Sequence, residues 1–320
     1  MRRQIVCGLI LILGSFGAGM SVRVGHAQTN ARNAADTPTP QWEIDAGGKM
    51  AFEVASVKQN KSGLPPRGDP RHTNIPLGQG DTYSPTGGLI LITNFPLPPL
   101  IGFAYKLDSF EGNAMHGKLP NWAAGADRFD IEARGLANAT KDQMRLMMQS
   151  LLADRFKLVA HFETHEEPIY NLVLAKPGRT GPQLTPYSDA HPCVDPVYPT
   201  QPAAKSTAAA PCGAFIARDM PDGGTVFGAS RVTIQAIADN WAVLAPANLD
   251  RKVVDRTGLS GYYDFSINFP KGMWRAGVSA DEPEPSFGEL LQDQLGLKLE
   301  PATGPVRALV IEHIEEPSAN

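Results

Sequence analysis

The chain has 320 residues, of which 29 are Lys or Arg and 33 are Asp or Glu, so its formal net charge is −4. A mildly acidic chain without a basic run offers little electrostatic attraction to nucleic acid or to anionic lipid. Neither is therefore expected as a partner.

The first 27 residues have the three parts of a secretory signal peptide. A cationic start with Arg2 and Arg3 precedes an apolar stretch at residues 5–20, and residues 25–27 (GHA) form a small-x-small cleavage pattern. The apolar stretch is shorter than the roughly 20 residues that a membrane-spanning helix needs. The pattern predicts a protein exported to the periplasm or the cell exterior, without a transmembrane segment.

The first half of the mature chain is predicted to contain strands and helices behind a flexible leader at residues 28–48. Alternating apolar and polar residues predict strands over residues 50–58 and 127–133, and residues 88–93 (GLILIT) are predicted to form a further strand. Helical spacing predicts a helix over residues 96–107, because the prolines at its beginning fall in the first turn, where a missing N–H is tolerated.

A second helix is predicted after Thr140, because the sequence Thr140-Lys-Asp-Gln143 has the form of a capping box. An apolar stripe at helical spacing follows and includes three methionines, Met144, Met147 and Met148. Such a group resembles a soft metal site, but thioethers in an apolar stripe more often fill gaps in a core. Two strands joined by a turn at residues 164–167 are expected to complete this part.

Residues 179–229 are rich in Pro, Gly, Ala and Ser, and they are predicted to form an irregular connector. They contain Cys193 and Cys212, whereas Cys7 lies in the predicted signal peptide. Two cysteines in an oxidising compartment most simply form a disulfide, which is what we predict here. A redox or metal pair is less favoured, since the spacing is not C-x-x-C and no helix begins nearby to lower a thiol pKa.

The chain also contains an internal repeat. Residues 150–158 (SLLADRFKL) and 167–175 (EPIYNLVLA) correspond to residues 289–297 (ELLQDQLGL) and 304–312 (GPVRALVIE). A repeat sets the unit of architecture, so we expect an α+β protein of two tandem pseudo-repeats, each a small, mostly antiparallel sheet with helices packed on one face. The predicted boundaries are signal peptide 1–27, leader 28–48, first module 49–178, connector 179–229, second module 230–315 and tail 316–320.

The second module is predicted to follow the plan of the first. Thr233 caps a helix whose apolar face carries Trp241, and residues 262–269 alternate as a strand. The sequence Ser286-Phe-Gly-Glu289 is another capping box.

Several strings of the chain resemble a known family. They are residues 52–58 (FEVASVK), 127–133 (DRFDIEA), 151–158 (LLADRFKL), 254–265 (VDRTGLSGYYDF) and 294–299 (QLGLKL). They are similar to strings in soil-associated secreted proteins that are expanded in acidobacterial genomes and are known only as a domain of unknown function. That domain is sometimes attached to membrane metallopeptidases of the beta-lactam-sensor type, and its modules are similar to the short N-terminal domains of secretins and TonB-dependent receptors. The resemblance implies periplasmic recognition or assembly, by analogy.

His161, Glu163 and His165 are the candidate metal ligands. They alternate along a predicted strand, so their side chains point to one face, and imidazoles with a carboxylate suit zinc. The repeat alignment places His161 opposite Glu300 on the outward set, where charged residues are ordinary, and the sequence supplies no further ligand. Neither an H-E-x-x-H nor a G-x-S-x-G motif occurs, so no catalytic residue and no cofactor is predicted.

Trp122 and Trp274 are the candidate binding residues, because both lie in predicted turns or loops and a flat indole ring suits a peptide or a glycan. The function hypothesis is a non-enzymatic binding or assembly module that recognises a peptide, a glycan or a cell-envelope protein through a sheet edge or through the cleft between modules. The alternative is a secreted hydrolase that uses the His/Glu group, with acidic residues near the module junction.

Overall fold

A computed structural model of the chain describes residues 38–62, 71–81, 83–190, 193, 212–244, 249–271, 273 and 285–317. All of these residues belong to one compact unit, Thr37–Asn320. Helices pack with three sheets in which all strand pairs but one are antiparallel. The predicted α+β class is therefore confirmed, whereas the tandem repeat stays a prediction. The predicted signal peptide lies outside the described residues.

The first sheet has the strand order β1-β4-β3-β2 and consists of antiparallel pairs. Alternate residues of β4 face the core, because successive side chains of a strand point to opposite faces; Phe129, Ile131 and Ala133 are all buried. The strands are β1 (Val54–Gln59), β2 (His72–Thr73), β3 (Leu89–Phe95) and β4 (Phe129–Arg134).

Four helices accompany this sheet: α1 (Gln41–Asp45), α2 (Leu97–Ala104), α3 (Ser109–His116) and α4 (Lys141–Phe156). The capping box of α4 is confirmed, since the Thr140 hydroxyl accepts from the Gln143 amide and the Gln143 side chain accepts from the Thr140 amide. Met144, Met147 and Met148 are buried in the core, in agreement with a packing role.

Helix α1 lies within residues 28–48, which were predicted to be a flexible leader. The prediction is wrong for the described part of this segment, because side chains tie it to the first half. Gln149 Nε2 donates to Glu43 Oε1 over 2.9 Å, and the ammonium of Lys106 lies 5.7 Å from the centre of the Trp42 ring. These contacts join residues distant in sequence, so the local composition did not reveal them.

The second sheet has the order β6-β10-β8-β7 and is also antiparallel. Its strands β6 and β7 lie in the segment predicted to be an irregular connector, residues 179–229, and β8 begins there. The error arose because β6 and β7 are too short to show a period; Leu184 of β6 is nonetheless fully buried. The strands are β6 (Leu184–Pro186), β7 (Ile216–Asp219), β8 (Thr225–Val232) and β10 (Tyr263–Phe269).

Two helices belong to the second half. Helix α5 (Ile234–Leu244) is capped as predicted, with the Thr233 hydroxyl accepting from the Ala236 amide over 3.1 Å, and its Trp241 is buried. Helix α6 (Phe287–Leu290) carries the predicted capping box of Ser286 and Glu289 and continues into a π-turn, Leu291–Leu295.

The third sheet joins two halves of the molecule: the first sheet with helices α1–α4, and the second sheet with helices α5 and α6. Strand β5 (Val159–Leu174) pairs antiparallel with β11 (Leu297–His313) over its whole length, and β9 (Lys252–Asp255) pairs parallel with the other edge of β5. The predicted turn at residues 164–167 is therefore wrong. These polar residues continue the strand, because β11 supplies their backbone partners across the ladder.

The described residues form two hydrophobic cores, and the β5–β11 ribbon runs through both. Phe162 of β5 and Leu309 of β11 belong to the first core, whereas Leu172 of β5 and Leu297 of β11 belong to the second. Each core thus receives residues from both halves of the chain. A division at residue 178, the predicted end of the first module, does not separate the cores.

Candidate binding cleft

A cleft of about 780 Å³ lies between the two halves. One wall is formed by residues 78–81 and 83–85 and by Lys106, and the other by β8, the first turns of α5 and Tyr262. This volume falls within the range of about 300–1,000 Å³ that small-ligand sites occupy. We take it as the candidate functional site.

The loop wall is held in place by two cations of α4. Lys141 Nζ donates to the Gly78 carbonyl over 2.8 Å, and the buried Arg145 donates through Nη2 to the Gln79 carbonyl over 2.6 Å. Burial lowers the pKa of Lys141, and with the charge of Arg145 acting in the same direction the pKa is about 7. These bonds fix the backbone of the loop and place Asp81 at the cleft.

Asp81 is the acidic group of the loop wall. Its Oδ1 lies 2.9 Å from Lys106 Nζ and 3.0 Å from Arg145 Nη1. Burial acts to raise the pKa of Asp81, but hydrogen bonds and charge from Lys106 and Arg145 outweigh it, so the pKa is lowered. Lys106 also contacts Asp142 at 3.2 Å, and Arg145 contacts the same two carboxylates, so two cations face two anions here.

Arg231 is the cation of the opposite wall. It has a φ of 57° at a bulge of β8, where the Asp264 carboxylate accepts from the Arg231 amide over 3.1 Å. Bulges redirect side chains, and here the guanidinium carbon lies 6.0 Å from the ring centre of Tyr187 and 5.7 Å from that of Tyr262. Tyr262 is 54% exposed, so the wall presents an aromatic surface beside a cation.

Asp239 is the acidic group of the helical wall. It lies on α5, and its Oδ1 accepts a hydrogen bond from Gln235 Nε2 over 2.7 Å. Besides the cleft, it lines a cavity of about 10 Å³ together with Asp108 and Lys252. Burial raises the pKa of Asp239 to about 7, and the negative charges of Asp108 and Glu111 act in the same direction.

A buried ionic network lies behind Asp239 and connects the halves. Lys252 of β9 contacts Asp108 at 2.7 Å and Glu111 at 3.0 Å, and Arg307 of β11 donates to both carboxylate oxygens of Glu111, over 3.1 and 2.9 Å. Burial acts to raise the pKa of Glu111, but the two cations outweigh it, so the pKa is lowered. The network ties the start of α3 to two strands that carry the second core.

The predicted metal ligands lie together but away from the cleft lining. His161 Nε2 and His165 Nε2 lie 3.3 and 2.9 Å from separate oxygens of Glu163. His161 Nδ1 lies 2.9 Å from Glu312 Oε1 without hydrogen-bond alignment. Hydrogen bonds from His161 and His165 lower the pKa of Glu163.

Among the residues that the structure describes, no group of three or more His, Cys, Asp or Glu side chains is arranged to hold a metal ion. The contacts of Glu163 with the two histidines instead form a row of hydrogen bonds on the β5–β11 ribbon. The metal site stays a prediction without geometric support.

Neither candidate tryptophan is placed at the cleft by the described residues. Trp122 begins a π-turn, Trp122–Ala126, where it is partly buried against the first core, and Trp274 lies outside the described residues. The predicted disulfide between Cys193 and Cys212 is present, with 5.1 Å between the Cα atoms. Cys212 lines the cleft, so the disulfide anchors part of its second wall.

Only part of this site could have been found from a sequence motif. Asp108-Ser-Phe-Glu111 is a capping-box pattern, and in the structure it starts α3 and supplies both acids of the network. Asp239 and Arg231 carried no such signal, because the first is an ordinary polar residue of an amphipathic helix and the second owes its orientation to a bulge.

Comparison with known proteins identifies a family. The family model described as "Protein of unknown function (DUF3738)" matches residues 99–314, whereas no curated protein and no solved structure matches the chain. No helix in the described part of the chain has the length and apolar character needed to cross a membrane. Since the match spans about two thirds of the sequence, this chain belongs to the DUF3738 family of proteins of unknown function.

Proposed function

We propose that this protein is exported and binds a short peptide segment in the cleft between its two halves. One observation carries the proposal: the cleft of about 780 Å³ has walls from both halves, with Asp239 and Arg231 on one side and Asp81 and Lys106 on the other. Concave sites with a few convergent polar groups are where proteins bind small ligands. The disulfide supports export, since such bonds persist in oxidising compartments.

A peptide fits the lining better than a glycan does. Gln79, Gln235 and Asn240 line the cleft, and a side-chain amide offers the same donor and acceptor pair as a peptide group. The amide nitrogens of Gln235 and Asn240 donate to Asp239 and to the Ala236 carbonyl, which leaves their oxygens to accept from a ligand N–H. Among the described lining residues the aromatic groups are two tyrosines and a phenylalanine, without a tryptophan.

The binding test uses the purified mature protein and a set of end-capped pentapeptides, with affinity measured by isothermal titration calorimetry. Tyr262→Ala is expected to weaken binding about tenfold, because it removes an exposed ring from the cleft wall. Leu136→Ala is the matched control, since Leu136 is 49% exposed and is not a lining residue. Equal losses in both variants, or binding of neutral oligosaccharides in place of peptides, would contradict the proposal.

A second candidate function is hydrolysis of the bound chain. One observation favours it: Asp81 and Asp239 line the same cleft with pKa values moved in opposite directions, which is typical of acid and base pairs. Mass spectrometry of bound peptides after incubation tests this candidate. Cleavage by the wild type that is lost in Asp239→Asn supports hydrolysis, and intact peptides in both samples support binding alone.

The wider parallels stay predictions. An acidobacterial origin and a likeness to secretin or TonB-receptor modules rest on the sequence strings alone. Peptide recognition in the cell envelope is compatible with them.

A further inference from the structure

The charges around the cleft leave one carboxyl group unbalanced. Behind the cleft, Asp108 and Glu111 are matched by Lys252 and Arg307 at 2.7–3.1 Å. Asp239 is the additional acid. Within the described residues its hydrogen-bond partner is the neutral amide of Gln235, and no ion pair to it is formed, although the charge of Lys252 acts on it across the small cavity.

The cations that line the cleft are already engaged elsewhere. Lys106 lies between the carboxylates of Asp81 and Asp142, at 2.9 and 3.2 Å. Arg231 packs beside the rings of Tyr187 and Tyr262. Arg251 lines the small cavity behind Asp239, where it lies 5.1 Å from the centre of the Tyr170 ring and 3.7 Å from Asp250.

Asp239 also has the surroundings that an ammonium group prefers. Its side chain lies between the open cleft and the cavity that it shares with Asp108, so the negative charge behind it adds to the local potential. Tyr83 and Tyr262 line the same cleft, and the faces of aromatic rings attract cations. A ligand amine at this position would supply the positive charge that the described residues do not place next to Asp239.

We infer that the peptide bound in the cleft carries a primary ammonium group, such as a lysine side chain, that pairs with the carboxylate of Asp239. The inference rests on the proposed peptide-binding function and specifies its ligand class. It names a recognition residue that neither the family description nor the sequence motifs supply.

The inference has a distinct proton signature. The Asp239 carboxyl has a pKa of about 7 in the unliganded protein, whereas a lysine amine, with a pKa of about 10.4, stays charged across neutral pH. An adjacent ammonium favours the carboxylate and lowers its pKa, so binding releases a proton. The release is about 0.9 proton at pH 6 and almost none at pH 8.5, and the affinity rises about tenfold between pH 6 and pH 8.

The experiment compares two pools of pentapeptides, capped at both ends, with the same randomised neutral flanks. One pool has a central lysine and the other a central Nε-acetyl-lysine, so only the charge of the central side chain differs. Binding is measured by equilibrium dialysis with mass spectrometry, and the best lysine peptide is then titrated by calorimetry at pH 6 and pH 8 in buffers of different ionisation heat.

Wild-type protein is expected to bind the lysine pool at least tenfold more tightly and to release protons on binding at pH 6. Asp239→Asn is expected to lose both the preference and the proton release, while still accepting the Gln235 hydrogen bond. Asp154→Asn, an exposed carboxylate on α4, is the control that keeps both properties. Asp239→Glu, which keeps the charge, is the second variant if the asparagine form does not fold, and it is expected to retain a preference for lysine.

The outcomes separate the two proposals. If acetyl-lysine peptides bind as tightly as lysine peptides and Tyr262→Ala weakens both, the ammonium inference is wrong and the peptide-binding function stands. If neither pool binds, both proposals are wrong. A lysine preference that survives in Asp239→Asn also overturns the inference.

Discussion

The two hydrophobic cores are filled by different kinds of side chain. In the first, the long helix α4, of 16 residues, packs with its methionines buried. In the second, α6 has 4 residues and a π-turn of 5 residues follows it. Phe287 of α6 makes ring contacts with Trp241 at 5.6 Å and Phe269 at 6.3 Å. A shorter helix leaves space that large rings fill, since protein interiors are close-packed.

The largest expected effect tests whether large rings compensate for the shorter helix in the second core. Trp241→Ala should lower the free energy of unfolding by about 4 kcal/mol, and Met148→Ala, in the first core, by about 2–3 kcal/mol. Trp241 is 2% exposed and Met148 is fully buried, so both truncations leave cavities. Urea unfolding followed by circular dichroism measures both. Equal losses would show that the rings do not carry extra packing energy in the second core.

The next effect concerns the network between the halves. Glu111→Gln should lower the free energy of unfolding by about 3 kcal/mol, because Arg307 then loses its carboxylate partner in the network and Lys252 keeps only Asp108. Glu300→Gln, which breaks the exposed contact with Lys298, should cost less than about 1 kcal/mol. Urea unfolding at two salt concentrations compares the variants, and similar values for both would mean that the network does not join the halves.

Asp239 should make stability depend on pH in the direction opposite to a salt-bridged acid. Its pKa is raised from 3.8 to about 7, so the folded state holds a proton that the unfolded state has lost. The stabilising contribution is fully present below pH 3.8 and is lost as the pH rises to about 7.

Between pH 4 and pH 7, the free energy of unfolding of Asp239→Asn should therefore rise by about 3 kcal/mol relative to wild type. Urea unfolding at four pH values measures the difference. A constant difference over this range would show that Asp239 titrates as an ordinary aspartate.

The last comparison concerns how α4 and the π-turn after α6 end. Helix α4 ends at Lys157 with a φ of 50°, and the π-turn that follows α6 ends at Gly296 with a φ of 68°. Lys157→Gly should raise the melting temperature, because glycine avoids a left-handed strain of about 1 kcal/mol.

Gly296→Ala should lower the melting temperature, since a Cβ at Gly296 would lie 2.5 Å from the backbone nitrogen of Gly181. Differential scanning calorimetry distinguishes the two signs. A destabilised Lys157→Gly variant would mean that the lysine side chain outweighs its backbone strain.

Local features of the fold were predictable from the sequence, because neighbouring residues determine them. The capping boxes at Thr140 and Ser286 lie within four residues, and the alternation in β4 and β10 reflects a two-residue period. The disulfide followed from the cysteine content and the predicted compartment.

Features that depend on distant partners were not predictable. Residues 164–167 resemble a turn until β11, more than 130 residues later, pairs with them. The pKa of Asp239 is raised by burial and also by the charges of Asp108 and Glu111, which approach it from the other half. The cleft needs walls from both halves, so no single segment of sequence carries its signature.

The β5–β11 ribbon has a consequence for how the protein reaches its native state. The first core receives Leu309 and partly buried Ile314 from the carboxyl-terminal end of the ribbon, and the Glu315 amide donates to the Phe156 carbonyl over 2.7 Å. A chain synthesised amino end first delivers these residues after the other described residues of that core. The first core therefore stays incomplete until β11 has been made.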